Sequence, residues 1–351
     1  MKKKHKIQSQ KYNRIRKKYL IYQRKKFNDI RRNKGNTESK YSADKKRFVR
    51  NSKIVNSNTR KELLIPKNFS IINNPKVTIK FLNRLSGFLK KQSFVTVSFE
   101  NTESITFDAV ITLIALTFKY LSPISYEICD IKRLMSPKIE KELKSWGFYH
   151  FTNRSIDDKS YQTRIIKIEA QSLNQTEVID NLIKFAYNKL NPNVEENLDM
   201  LYKEMLFSAK LLNDITQNTY DHSASKKGGN DWWVSVIKSS SSNSVRFIAM
   251  DVGKGIISTL GRNKLLIDKK HNSIKSMRKL KNTFLGKYKS RKSSRGRGLP
   301  RLRKILQEPN KLSKLTVFTN NVSADLDTFS FKTLPKSSAY QGTFYTWIQN
   351  G

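Results

Sequence analysis

The run Val245-Arg246-Phe247-Ile248-Ala249-Met250, followed at once by Asp251-Val252-Gly253-Lys254-Gly255-Ile256, decides how the second half of the chain is read. Its first six residues are rich in β-formers and predict a strand. Asp-x-Gly-x-Gly then stops it, with two glycines where a backbone must turn or approach something closely. Upstream, Trp232 to Ile237 is a second strand, and the Ser-rich stretch Ser239 to Asn243 between them is a turn, so a β-hairpin precedes the glycines. That context argues against a dinucleotide-binding turn. Such a turn wants a third Gly or Ala where Ser258 stands, and an acid ending a second strand, whereas the chain beyond Ser258 is basic. A Gly-x-x-x-x-Gly-Lys-Ser/Thr loop is nowhere in the sequence.

Working outward, Val178 to Leu190 and Val194 to Tyr220 have helical spacing. In the second helix Leu198, Leu201, Met205, Leu206, Ala209, Leu212 and Ile215 form the expected apolar face. Asp214 and Asn218 are four apart, hence on one helical face, and Asp221-His222-Ser223 closes the helix. Downstream, 13 Lys and Arg against the single acid Asp268 fill the stretch from Ile256 to Gly296. Ser294-Arg295-Gly296-Arg297-Gly298-Leu299-Pro300 then opens a helix reaching Leu306. Strands are expected at Leu315 to Thr319 and Thr343 to Ile348, the latter led by Gly342-Thr343.

Taken singly these motifs are weak; as an ordered set they resemble the Bergerat-type ATP-binding fold of the GHKL superfamily, over about residues 160–351. The resemblance implies an α+β sandwich that binds ATP with Mg²⁺. By it, Asn218 matches the Mg²⁺-coordinating asparagine and Asp251 the aspartate that accepts the adenine amino group. Gly253, Gly255 and Ile256 line the base, Gly296, Gly298 and Leu299 stand where backbone amides meet phosphates, and Thr343 lies beside the adenine aspartate. Hydrolysing members have Glu as general base where this chain has the shorter Asp214. The ending Asp221-His222-Ser223 looks most like the anti-sigma serine-kinase branch, which suggests a phosphate-facing role for His222.

The first half alternates differently. A helix from Thr78 to Lys90, a strand from Ser93 to Phe99, a buried helix from Ala109 to Leu121 capped by Thr106 or Asp108, a strand from Ser125 to Cys129, and a helix from Ser136 to Trp146 stopped by Gly147 predict a small α/β unit at about 67–155. Its order is similar to the STAS domain of anti-sigma-factor antagonists. Where that family has a phosphoacceptor Asp-Ser-Ser-Gly loop, this chain has Thr106-Phe107-Asp108-Ala109, without the serine. A generic α/β docking domain fits the pattern as well. The domains expected are therefore a basic disordered arm at 1–62, a STAS-like α/β domain at 63–158 and a GHKL ATP-binding domain at 159–351.

Charge completes the reading. The 351 residues carry 69 Lys and Arg against 28 Asp and Glu, a net of +41. Residues 1–60 alone hold 22 Lys and Arg against three acids, a net of +19, with too few apolar residues to order themselves. Such an arm either keeps the protein soluble or neutralises nucleic-acid phosphates. One cysteine, Cys129, excludes an intrachain disulfide and a Cys-rich zinc module, and no His-Glu-x-x-His pattern occurs. The longest apolar run is too short to span a bilayer, and no signal peptide is evident. The expectation is a cytoplasmic protein that binds ATP and hydrolyses it with Mg²⁺, coupled to the STAS-like domain. Its expected partners are nucleic acid at residues 1–60 and a protein or a second copy. The alternatives are a serine protein kinase acting on a STAS-type partner and a nucleotide switch with little turnover.

Overall fold

A seven-stranded antiparallel sheet carries the architecture, in the order β11-β10-β9-β12-β8-β7-β6. The computed structural model describes residues 61–91, 95–120, 129–132, 135–151, 163–168, 175–194, 198–223, 232–260, 273–287, 298–307 and 312–351. The expected basic arm, the start of the strand expected at Ser125, and Gly296 lie outside those residues.

The hairpin expected around the Ser-rich turn is present. β7 (Trp232–Lys238) pairs antiparallel with β8 (Ser244–Asp251), and Ser239 donates its N–H to the Ser244 carbonyl at 2.9 Å to close the turn. β6 (Thr163–Ile168) extends the sheet beside β7. On the other side β12 (Tyr340–Asn350) lies between β8 and β9 (Leu312–Asn320). Two short strands, β10 (Val322–Asp325) and β11 (Ser330–Thr333), complete the edge.

Alternation along these strands buries both faces. One face meets helices α5 (Gln175–Leu190), α6 (Leu198–Ser223), α8 (Ser273–Phe284) and α9 (Gly298–Gln307), with Leu182, Leu212, Val234, Phe247, Leu280, Leu302 and Trp347 in their common core. Phe247 and Trp347, adjacent on β8 and β12, stack with centroids 5.1 Å apart. The apolar face of α6 differs in part from the expected one. Leu201, Met205, Leu212 and Ile215 are buried, but Leu206 is 42% exposed and Leu211 takes a core place instead. Ser208 is buried in the same row. It donates to Gln349 Oε1 at 2.9 Å and accepts from Trp347 Nε1 at 3.0 Å. The turn-by-turn row 201, 205, 208, 212, 215 sets the buried side, and Leu206 lies off it.

The opposite face is covered by the first part of the chain. β1 (Lys61–Leu64), β3 (Val95–Ser98) and β5 (Cys129–Lys132) form a parallel three-stranded sheet in the order β1-β3-β5, and β2 (Asn68–Phe69) pairs with β4 (Ser104–Ile105). Of the strand expected from Ser125 to Cys129 only Cys129 lies among the described residues, in β5, which continues to Lys132. Helices α1 (Pro75–Lys90) and α2 (Phe107–Tyr120) follow β2 and β4. They are succeeded by α3 (Pro137–Ser145), capped by the Ser136 side chain, and α4 (Phe148–Phe151). Asp108 does not cap its own helix. Its carboxylate is buried and accepts the N–H groups of Ile71 and Ile72, at 2.6 and 3.2 Å, and so fixes the turn leading into α1. Burial still pushes this carboxyl above its ordinary range, against those donors.

α1 and α2 dock on the large sheet through specific contacts. Thr112 meets the Met250 sulfur at 3.4 Å, the rings of Phe118 and Trp233 sit edge to face 5.3 Å apart, and Asn83 Nδ2 donates to the carbonyls of Ser337 and Ala339. Residues from Arg60 to Gly351 thus form one packed unit, helices over sheet over helices. Among the described residues no helix is long and apolar enough to cross a membrane.

Candidate functional site

β8 delivers Asp251 to the end of the sheet between Trp232 of β7 and Thr343 of β12. Asp251 follows the parity of Val245, Phe247 and Ala249, the residues that face α5 and α6. Its Oδ1 accepts the Gly253 N–H at 2.7 Å, the short side-chain turn that Asp forms with the backbone two residues on. Burial drives the carboxyl up to about 6, against the donors Gly253 and Thr343 and the nearby Lys119 ammonium.

The glycines that follow are required by close approach within the protein. Gly255 has φ +77°, and a Cβ there would stand 2.6 Å from Asn320 Oδ1 and from the Gly342 carbonyl. Gly342 has φ +115°, and its Cβ would fall 2.0 Å from the Asp251 carbonyl oxygen. Two residues unremarked in the sequence hold this corner. Thr319, last but one in β9, accepts the Ile256 N–H at 2.8 Å and donates to the Gly342 carbonyl at 3.2 Å. Asn320 accepts from the Ile257 N–H at 3.1 Å and donates to Lys254 O and Ser258 Oγ, both at 2.8 Å. It thereby caps α7 (Ile256–Leu260) from across the sheet, with φ +52°, a conformation Asn tolerates. A Thr-Asn pair ending a strand is the only local signal that could have pointed to it.

A third contributor comes from the first half of the chain. Lys119, in the last turn of α2, donates to the Val252 carbonyl between Asp251 and Gly253. The Asp251 turn is therefore gripped by β9, β12 and α2 together.

The helical side of the site is built more sparsely. Asp214, on α6, is 19% exposed at its side chain, and its Oδ1 lies 3.5 Å from Nη1 of Arg301 on α9. Burial raises its pKa and the Arg301 guanidinium opposes the rise. α6 continues helical through Ser223, so positions 214, 218 and 222 share one face, but the side chains of Asn218 and His222 lie outside the described residues. Gly298 begins α9, with Leu299 packed against the core cluster. The first-turn amides of a helix have no intrahelical partners, so this end suits an anion.

The structure thus brings Asp251, Gly253, Gly255, Ile256 and Thr343 into one corner, and ties Asp214 to the helix that Gly298 opens. Among the described residues no three His, Cys, Asp or Glu side chains gather as a protein-held metal would require. The basic stretch after Ile256 is partly helical: α8 buries Ser276, Leu280 and Phe284 at helical spacing. No protein-family model matches this chain, and no curated protein matches it.

Proposed function

We propose that the second half of the chain is an ATP-binding module of the GHKL type, using Mg²⁺, with the α/β module on the back of its sheet as a STAS-like regulatory element. The observation that carries this reading is the Asp251 corner. A carboxylate ends a central strand, one of its oxygens is oriented by the Gly253 amide, and glycine-bearing backbone surrounds it. Such a carboxylate suits an exocyclic amino group, because each of its oxygens has two lone pairs and can accept a further hydrogen bond beside those from Gly253 and Thr343. On this reading Gly253, Gly255 and Ile256 let the base lie against the turn, and Thr343 steadies the carboxylate. The amides at Gly296 and Gly298, with Leu299 behind them, meet the phosphates. Asn218 holds Mg²⁺, which supplies charge neutralisation on the phosphate oxygens, and His222 faces them. Asp214 is the candidate base for the attacking water. Residues 1–60 contact nucleic acid, and the α/β module receives a protein partner or a second copy.

A second reading, a nucleotide switch with little turnover, is favoured by one contact. Arg301 engages the Asp214 carboxylate, which a general base must present to water. The serine-kinase reading is separated by the same experiment. Wild type and Asp214→Asn are mixed with ATP and Mg²⁺, and binding, ADP release and phosphoprotein are measured. A hydrolase keeps its ATP affinity in the variant and loses turnover by roughly 10²–10⁴-fold. Tight binding without ADP in wild type selects the switch, and label on a protein selects the kinase. No binding of ATP to wild type overturns the whole assignment.

A further inference from the structure

α8 and α9 lie side by side over the sheet edge, and neither carries an acid. Residues 273–287 and 298–307 hold Lys275, Arg278, Lys279, Lys281, Lys287, Arg301, Arg303 and Lys304. The sides that face inward are apolar: Leu280 and Phe284 on α8, Leu302 and Ile305 on α9. The cations are therefore segregated outward. Lys275, Arg278 and Lys281 are exposed at steps of three along α8, one stripe rising about 9 Å over six residues. The two helices converge on one aromatic ring. Lys281 Nζ lies 5.7 Å from the centre of Phe329, and the Arg303 guanidinium lies 4.1 Å from it. Phe329 holds φ +51°, a costly conformation for a large side chain, in the β10–β11 turn. The two acids of that turn are occupied by backbone. Asp325 accepts from the N–H groups of Asp327 and Thr328, and Asp327 from those of Lys314 and Leu315.

We propose that the outer surface of α8 and α9, centred on Lys281, Arg303 and Phe329, is a docking surface for a nucleic-acid backbone. It is proposed independently of residues 1–60 and does not depend on whether the Asp251 corner binds ATP. The charge favours this partner. Three exposed cations in a row on an acid-free helix suit a polyanion, and neutralising phosphates releases counterions whatever the sequence. A membrane surface is disfavoured. Ile274 is the one large apolar side chain on these two helices that stands exposed among the described residues, and an interfacial helix needs several bulky anchors. An acidic protein segment is the remaining competitor.

The test uses the full chain. In one variant Lys275→Gln, Arg278→Gln, Lys281→Gln and Lys304→Gln are combined. In a second, Lys76→Gln, Lys80→Gln, Lys90→Gln and Lys336→Gln remove the same charge from exposed sites on α1 and near β12. Fluorescence anisotropy with a labelled 30-base-pair duplex and a 30-nucleotide single strand is read from 50 to 300 mM salt, and a poly-glutamate peptide is titrated in parallel. The first variant is expected to bind at least about tenfold more weakly at 50 mM. The slope of log affinity against log salt should become shallower by about 3, at 0.7–0.9 per lost phosphate contact. The second variant should retain most of its slope. Equal losses in both variants reduce the effect to net charge and overturn the proposal, as does an unchanged slope in the first. An equal loss on poly-glutamate overturns the choice of nucleic acid. A thermal melt of each variant confirms that these exposed substitutions leave the fold in place.

Discussion

At the Asp251–Gly255 turn, hydrogen bonds arrive from its own backbone, from Thr319 and Asn320 of β9 and from Lys119 of α2, and two positive-φ glycines allow the strands to close on one another. At Asp214 an ion pair of 3.5 Å, with Arg301 61% exposed, bridges α6 and α9 beside the core that the two helices share. One end of the candidate site is thus assembled by the fold before any ligand arrives. At the other, the described contact is that ion pair between two helices. On the proposed reading the first end would read the base, where rigidity helps, and the second would handle the charged phosphates.

The largest test of that contrast is Gly342→Val. A β-branched residue at φ +115°, with its Cβ placed on the Asp251 carbonyl, adds backbone strain to overpacking. Chemical denaturation should show a loss of more than about 3 kcal/mol, whereas a turn that readily yields would show under 1 kcal/mol. Asp251→Asn comes next. ATP affinity should fall by about 10–100-fold, the worth of a charge-assisted hydrogen bond, while the protein becomes more stable near neutral pH. The sign follows from the proton balance. The folded carboxyl titrates at about 6 rather than at 3.8, so between those values the folded state holds the extra proton. Wild type therefore loses about 3 kcal/mol of stability as the pH rises through that window, and the variant does not. A stability profile that is the same for both proteins would remove Asp251 from its buried corner.

Lys119→Met is the smaller probe, and it tests whether α2 belongs to the rigid end. Loss of its hydrogen bond to Val252 should weaken ATP binding by about 2–10-fold. Without the ammonium that favours the carboxylate, the pH step of Asp251 should also move upward, and Lys119→Arg should restore both. Calorimetric titration and a pH series of melts would read the two effects. Unaltered values would leave Lys119 a surface residue without influence on the turn.

How far the sequence disclosed all this depended on the range over which each cause acts. The hairpin, the Asp251 motif, a helix opened within Ser294 to Pro300 and a helix from Ser136 were legible, because strand alternation, turn residues and helix-start signals act within a few positions. Thr319, Asn320 and Lys119 were not legible, since each acts on the turn from 63 or more residues away in the chain. Asp108 stands beside Thr106 as one of two candidate caps, because nothing local indicates that its carboxylate is turned back onto Ile71 and Ile72, 37 and 36 positions earlier. Leu206 and Leu211 differ only in where one turn of α6 falls against the sheet, a difference periodicity leaves open. β10 and β11 were missed because Val322–Asp325 and Ser330–Thr333 are short edge strands whose order comes from pairing with β9.

The place of β12 bears on how the molecule comes to be folded. β6, β7 and β8 form one antiparallel part of the sheet and β9, β10 and β11 another, and no described ladder joins them except through β12. The strand that unites the sheet is the last of these to leave the ribosome. Until it pairs, β8 and β9 each present an open row of amides and carbonyls, the kind of edge that recruits strangers. Its pairing with β8 also spans about a hundred residues, as from Thr346 to Ile248 and Trp347 to Phe247, so the closing step is entropically slow. The Asp251 corner is completed in that same step, by the Thr343 at the head of β12. A chain halted short of its final strand would keep two half-sheets and no corner.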